Sequence, residues 1–390
     1  MRIAMFTDTY CPQLNGVATS VRMLSQYLRA EGHQVYIFTT TDPEAPANEE
    51  YVFRLPSLPC LKDRRMGMFY HPGLARMVKR LNLDLIHTHT EFSIGVFGRF
   101  LARELRLPMI HTMHTIYEDY THYLTKRKRL ESMAKTVARR ITTEFCNSAD
   151  RVIVPTEKVK DLLLSYGVRP PIAPVFTGIE TDNFTPGRYS PEEISAARRS
   201  MGVGEEDKVV LYLGRMAEEK NIDELLFGMQ PYLRERKHVK FLLIGDGADR
   251  PRLEGMAREL GMTDSTIFAG ARPWDEIGMY YQAADVFVNA SQSEAQGLTY
   301  IEAMAAGVPV VAKADRCLEG VVDEGVNGFT FVDQDGLIRA LDRILGDPME
   351  PLRLRRGALR TAERFSAGAF ADHVAGEYVA LTSRPHRRSA

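Results

Sequence analysis

Cysteine is scarce in this chain. The four residues, Cys11, Cys60, Cys146 and Cys317, show no Cys-x-x-Cys or Cys-x-His spacing. That argues against a disulfide scaffold and a cysteine zinc site, and it suggests reduced thiols in the cytoplasm. Long apolar runs are missing too. The N-terminus opens directly on a strand, so neither a transmembrane helix nor a signal peptide is expected. The dinucleotide fingerprint is also missing. The first strand-to-helix loop holds one glycine, Gly16, and at Gly245-Asp246-Gly247 the position that should carry a third glycine is Arg250. A side chain there denies the close helix packing that glycine allows, so no nicotinamide cofactor is expected. Ten histidines, five of them at 87, 89, 111, 114 and 122, fit no zinc template, and no metal is expected.

What is present is an ordinary globular composition, 44% apolar and 26% charged, in 390 residues. That length exceeds a single core and predicts two domains. The net charge of −1 hides an asymmetry: residues 1–178 carry 24 Lys/Arg against 17 Asp/Glu, and the rest 26 against 34. A basic first half suits an anionic partner, nucleic acid or an anionic membrane, unless the imbalance is a modest fluctuation. Short apolar strands alternate with helical patterns. Strands are read at 2–7, 35–38, 85–87, 109–111 and 151–154, and helices at 17–30, 71–82, 93–106 and 127–146. The stretch 177–187, flanked by Pro174 and Pro186, reads as a linker. A second strand-helix series runs to about residue 345, and a helical tract over 350–383 precedes a basic tail. Two such series predict an α/β chain of two doubly wound domains facing each other across a cleft.

The chemistry gathers around one stretch, Ser291 to Gly307. An apolar strand, Val286-Phe287-Val288, leads into a polar loop holding Glu294, then a helix starting near Gly297 and carrying Glu302. In an open α/β sheet this turn lies at the carboxyl edge, where ligands bind, and a helix N-terminus favours phosphate. Either glutamate alone reads as an exposed carboxylate. Upstream, Val209 to Leu213 is a strand, and Gly214-Arg215-Met216-Ala217-Glu218-Glu219-Lys220-Asn221 follows it. Arg215 and Lys220 there can hold a diphosphate, the first by its planar fork and the second as a point charge.

Glu294, seven residues, then Glu302-Ala303-Met304-Ala305-x-Gly307-x-Pro309 is similar to the E-x7-E signature of the retaining glycosyltransferases of family 4, and Gly214 to Asn221 resembles that family's phosphate-binding turn. The resemblance covers nearly the whole chain and implies the two-domain GT-B fold. It implies domains at 1–178, binding the acceptor, and 179–365, binding the nucleotide sugar, with a helix at about 366–383 packing back on the first. Arg215, Lys220, Glu294 and His114 are the implied catalytic residues. His114 stands on the acceptor side, touching the donor sugar. Gly16, Gln296, Gly297, Leu298, Thr299 and Glu302 are the implied donor contacts, Glu302 on the ribose; Gly270-Ala271-Arg272, which follows the strand Ile267-Phe268-Ala269, is a further candidate that could hold the base edge through backbone groups. No cofactor is implied. Asn15-Gly16-Val17 and Gln296-Gly297-Leu298-Thr299-Tyr300 look like the diacylglycerol glucosyltransferase branch.

Beyond His114 lie Tyr117-Glu118-Asp119-Tyr120, then Lys126-Arg127-Lys128-Arg129. Tyr117, Asp119 and Tyr120, with these four cations, are the candidate acceptor and membrane contacts. In the helix that follows, Leu130, Ala134, Val137, Ile141 and Phe145 form an apolar stripe, which reads as core, with Lys128, Lys135, Arg139 and Arg140 around it. A basic amphipathic helix can also lie on anionic lipid. The combined reading is a peripheral enzyme on the inner face of the cell membrane. It moves glucose from UDP-glucose onto diacylglycerol with retained configuration, and nucleic acid is not a partner. The rivals are another acceptor (phosphatidylinositol or a soluble sugar), a nucleotide-sugar epimerase, and a nucleic-acid binder using the basic half.

Overall fold

A computed structural model describes the chain apart from Leu14, Ala47, 62–63, 117–127 and 384–390, and apart from the side chains of 61, 64 and 128–131. The chain divides into two compact units, Met1–Gly178 with Ala367–Ala390, and Ile179–Ser366.

In the first unit the elements run β1 (Arg2–Phe6), α1 (Gly16–Ala30), β2 (Gln34–Thr40), β3 (Val52–Leu55), β4 (Ser57–Leu61), β5 (Arg64–Gly67), α2 (Pro72–Arg80) and β6 (Leu85–Thr88). Then come α3 (Ser93–Leu105), β7 (Met109–Thr112), α4 (Lys128–Cys146), β8 (Arg151–Val154), α5 (Glu157–Ser165) and β9 (Ile172–Pro174). Seven strands form one parallel sheet in the order β3-β2-β1-β6-β7-β8-β9, and β4 and β5 pair as an antiparallel hairpin. An interior strand, β1, is buried from Ile3 to Phe6, as an apolar run covered on both faces should be. β3, β4, β5 and β9 have no counterpart among the strands expected from sequence.

The second unit holds α6 (Pro191–Ser200), β10 (Lys208–Leu213), α7 (Ile222–Glu235), β11 (Val239–Ile244), α8 (Arg250–Glu259) and β12 (Thr266–Gly270). It continues with α9 (Ile277–Gln282), β13 (Val286–Asn289), α10 (Leu298–Ala305), β14 (Val310–Lys313), β15 (Gly328–Phe331), α11 (Gln334–Gly346) and α12 (Glu350–Arg364). Its parallel sheet has the order β12-β11-β10-β13-β14-β15. The tract over 350–383 is two helices. Phe365 and Ser366 interrupt it, and Ile179 pairs there, its amide donating to the Phe365 carbonyl at 3.0 Å. The last helix, α13 (Ala367–Thr382), belongs to the first unit. Its Phe370, Val374 and Tyr378 join Val21, Leu24 and Leu28 of α1 in one core, and Glu377 pairs with Arg151 of β8.

The stripe on α4 is not core. Only Phe145 of its described members is buried, beside Thr142 and Cys146. Val137 and Ile141 are 56% and 51% exposed, and Met133 on the same face is 65% exposed. No helix among the described residues is long and apolar enough to cross a membrane.

Candidate active site

Each sheet reverses its strand order once: between β1 and β6 in the first unit, and between β10 and β13 in the second. At such a point the two flanking loops leave in opposite directions and open a crevice at the carboxyl edge. The loops after β10 and β13 carry Arg215, Lys220 and Glu294.

The β10 turn is closely braced. Gly214 has φ +157°, and a Cβ on Gly245 would stand 1.9 Å from the Gly214 carbonyl oxygen, so the ends of β10 and β11 meet backbone to backbone. The Met216 amide donates to the Asp246 carbonyl at 2.9 Å, and the Tyr212 hydroxyl donates to the Arg215 carbonyl at 3.0 Å. Gly245-Asp246-Gly247 thus braces the turn that carries Arg215. A single 3-10 turn, Glu218–Lys220, ends at Asn221, which takes the left-handed conformation and donates from its side chain to the Ala290 carbonyl at the end of β13. The two loops are stitched together again where the Ser293 hydroxyl donates to the Glu219 carbonyl at 3.1 Å.

Both candidate cations face carboxylates. Lys220 Nζ lies 2.5 Å from Glu294 Oε1, and the Arg215 guanidinium lies 2.5 Å from Glu219 Oε1. Lys220 and Glu294 are mostly buried, whereas Arg215 is exposed. Glu302 is buried inside α10 and accepts a hydrogen bond from the Tyr281 hydroxyl at 2.8 Å. Burial pushes its carboxyl up to about 7, against the lowering effect of that hydrogen bond. Gly297 caps α10 with φ +74°, and a Cβ there would meet the Tyr300 ring at 2.6 Å, so both backbone and space demand glycine. Gln296 is buried, and Leu298 and Thr299 are half-buried at the helix start. Arg272 lies half-buried past the end of β12, its guanidinium 5.6 Å from the centre of the Tyr280 ring.

In the first unit, Gly16 opens α1, exposed, with nothing among the described residues within 4 Å of where a Cβ would stand. Asn15 caps that helix by accepting from the Ala18 amide at 3.0 Å. At the strand reversal, Asp8 is buried on the N-terminus of α3. It accepts from the Thr90 hydroxyl at 2.5 Å, the Ile94 amide at 2.9 Å and the Ser93 hydroxyl. It thereby ties the loop after β1 to the loop after β6, and burial raises its carboxyl above the usual range. His114 follows β7 and meets His89, Nε2 to Nδ1, at 3.1 Å. Burial, with the neighbouring His111, pushes its imidazole down to about 4, so it is neutral at pH 7.

The structure therefore brings Arg215, Lys220, Glu294, Glu302 and the 296–299 segment to one edge of the second unit, and sets Gly16 and His114 in the first. Tyr117, Asp119, Tyr120, Lys126 and Arg127 lie outside the described residues; Lys128 and Arg129 begin α4 with undescribed side chains. Glu219, Tyr281, Asp8 and His89 carry no site expectation from sequence. Glu219 stood next to Lys220 in the motif, four residues after Arg215, a spacing that pairs charges across one turn. Tyr281, 21 residues from its partner, left no local signal.

Comparison with known proteins bears on the whole chain. Residues 14–183 match the family model described as Glycosyltransferase Family 4, and residues 193–361 the one described as Glycosyl transferases group 1. An alpha-monoglucosyldiacylglycerol synthase of Streptococcus pneumoniae is 40% identical over 353 residues, covering 89% of this chain and 79% of that protein. One from Acholeplasma laidlawii is 31% identical, covering 100% and 99%. Among solved structures, Anabaena HepE in complex with UDP superposes with a TM-score of 0.74 at 20% identity, over 98% of this chain and 100% of that one. Sucrose-phosphate synthase from Thermosynechococcus elongatus gives 0.72 at 23% identity, over 98% and 99%. These structural likenesses establish the fold: two parallel-sheet domains of the GT-B type.

Proposed function

The chain belongs to glycosyltransferase family 4, and we propose that it moves glucose from UDP-glucose onto the hydroxyl of diacylglycerol at a membrane surface, with retained configuration. The observation that carries the reading is the pairing of Lys220 and Arg215 with carboxylates at the strand reversal of the second unit, beside a buried Glu302. Two cations held ready by exchangeable partners suit a diphosphate, and a buried carboxylate suits a ribose diol. The names of the two relatives supply the sugar and the acceptor.

In the proposed reaction the bond from the glucose anomeric carbon to the diphosphate oxygen breaks. The acceptor oxygen bonds to that carbon on the same face, and its proton passes to an oxygen of the departing phosphate. UDP and a glucosyl lipid result. Arg215 and Lys220 stabilise charge that builds on the diphosphate, an interaction stronger in the transition state than in the ground state. Glu302 holds the ribose. Glu294, released from Lys220 by the incoming phosphate, meets the sugar hydroxyls. His114, neutral, offers the sugar a hydrogen bond rather than a charge.

The exposed face of α4 supports the membrane part of the reading. Met133, Val137 and Ile141 repeat every fourth residue, and Lys135, Arg139 and Arg140 lie along the same exposed helix. An apolar face bordered by cations suits an anionic lipid surface better than water. Incubation with a panel of nucleotide sugars and with vesicles containing diacylglycerol, followed by mass spectrometry, tests the proposal. A hexosyl lipid is expected from UDP-glucose. A product formed only with a soluble acceptor, or conversion of the donor alone, would reject it in favour of another transferase or an epimerase.

A further inference from the structure

Four histidines of the first unit form a cluster around the ends of β6 and β7. Two are held at both ring nitrogens. His87 meets the Tyr378 hydroxyl through Nδ1 and the Thr112 hydroxyl through Nε2, both at 2.7 Å. His111 meets Thr88 through Nδ1 and Glu91 through Nε2. These are satisfied core histidines whose orientation is fixed. Because Tyr378 lies on α13, the returning C-terminal helix supplies one of the restraints on His87.

His89 differs from both. Its ring lies against His87, the centroids 3.9 Å apart, so the locked ring is a platform for it. Its Nδ1 meets His114 Nε2 at 3.1 Å. Its Nε2 is buried and has no hydrogen-bond partner among the described residues. Two neutral imidazoles that share one hydrogen bond must divide the roles: one nitrogen donates and the other accepts. If His114 donated, the His89 proton would sit on the buried Nε2, as an orphaned N–H. If His89 donates, the buried Nε2 is a bare lone pair. Orphaned buried N–H groups are the rarer case in proteins, so the second arrangement is favoured. It follows that His114 carries its own proton on Nδ1.

We propose that His89 is a positioning residue that donates from Nδ1 to His114 Nε2, fixing the ring orientation and tautomer of His114 so that its Nδ1–H is the donor presented to the sugar. The inference rests on the assignment of His114 to the donor sugar made above. In this arrangement β6 supports β7 through side chains. The order of support runs from Tyr378 on α13 through His87, as a packing platform, to His89, and then to His114.

The test uses the full-length protein labelled with nitrogen-15 histidine, with His114→Gln to assign its signals. Ring-nitrogen shifts at pH 7 should show His114 protonated on Nδ1 and bare on Nε2. His89→Phe keeps a planar ring against His87 but removes the hydrogen bond, and His114 should then populate both tautomers. Turnover should fall by about 10- to 100-fold while KM for UDP-glucose moves by less than about 3-fold, as expected when a bound substrate meets a misoriented group. His89→Asn, whose amide nitrogen overlies the imidazole Nδ1, should restore the single tautomer and most of the turnover. A wild-type His114 protonated on Nε2 would overturn the proposal. So would a folded His89→Phe variant in which His114 keeps the Nδ1–H tautomer, since His89 would then be core and nothing more. The tautomer readout needs no substrate. Full turnover in His114→Ala is a separate failure, of the sugar assignment itself.

Discussion

Acid should weaken binding of the nucleotide sugar, through Glu302. Its carboxyl is buried and its ionisation lies near 7, with one oxygen held by the Tyr281 hydroxyl. Ribose hydroxyls donate well to a carboxylate and poorly to a neutral carboxyl, so the bound state favours the ionised form. Affinity should therefore rise with pH up to about 7 and then level off. Only about 3% of the group is ionised at pH 5.5, so affinity there should be roughly 30-fold below that at pH 8.5. Calorimetry with UDP-glucose and no acceptor, in two buffers of different ionisation enthalpy, counts the proton released below the plateau. Both phosphates of a nucleotide sugar are already ionised across this range, so a proton that appears comes from the protein. Glu302→Gln should bind about 1–3 kcal/mol more weakly at pH 8.5, the worth of a hydrogen bond to a charged group. Its affinity should meet the wild-type curve near pH 5.5 and show no slope. A pH-independent wild type, or a variant that keeps the slope, would refute the ribose assignment. Folding carries the opposite sign. A carboxyl raised above its unfolded value of 4.5 contributes its stability below 4.5 and loses it as pH rises through 7, roughly 3 kcal/mol in all.

Other perturbations separate the remaining roles. Arg215→Ala and Lys220→Ala should each lower turnover by about 100-fold while nucleoside binding changes little, because their charge matters most as the diphosphate leaves; steady-state kinetics within about 2-fold of wild type would remove them from the mechanism. Gly297→Ala places a methyl 2.6 Å from the Tyr300 ring at a left-handed φ, and should cost roughly 1–3 kcal/mol in denaturant unfolding. Replacing 126–129 with Ser should weaken binding to anionic vesicles, read by sedimentation over a lipid titration, by about three powers of ten at low salt, at about 1 kcal/mol per cation, and leave neutral vesicles little changed. Met133→Ser with Val137→Ser and Ile141→Ser should weaken binding to both vesicle types, since those residues contribute apolar area rather than charge.

Much of the second unit was legible in the sequence. β10 and β13 are continuous apolar runs ended by glycine or polar loops, and parallel strands buried on both faces read that way. The motif residues fall on the loops at the strand reversal, the place where an open parallel sheet opens a crevice for a ligand. The hairpin β4–β5 was not legible. Its strands are short, Pro59 interrupts the first, and Arg64 and Arg65 open the second, so no alternation stands out. The stripe on α4 shows the limit of periodicity. Spacing identified a face, but nothing in it says whether protein covers that face, and Val137 and Ile141 are exposed. No proline marks the break at Phe365–Ser366, where Ile179, far away in the chain, pairs. Tyr281 with Glu302, and His89 with His114, are also long-range pairs, made when separate strands and helices come together.

The most direct test of the central claim is the product itself. Purified protein is mixed with UDP-glucose and anionic vesicles containing diacylglycerol, and the lipid is extracted for mass spectrometry and proton NMR of the anomeric centre. A single glucosyl diacylglycerol with the α configuration, formed together with an equal amount of UDP, is the predicted result. A β-linked product would contradict retention, and unglucosylated lipid alongside an active donor would contradict diacylglycerol as the acceptor.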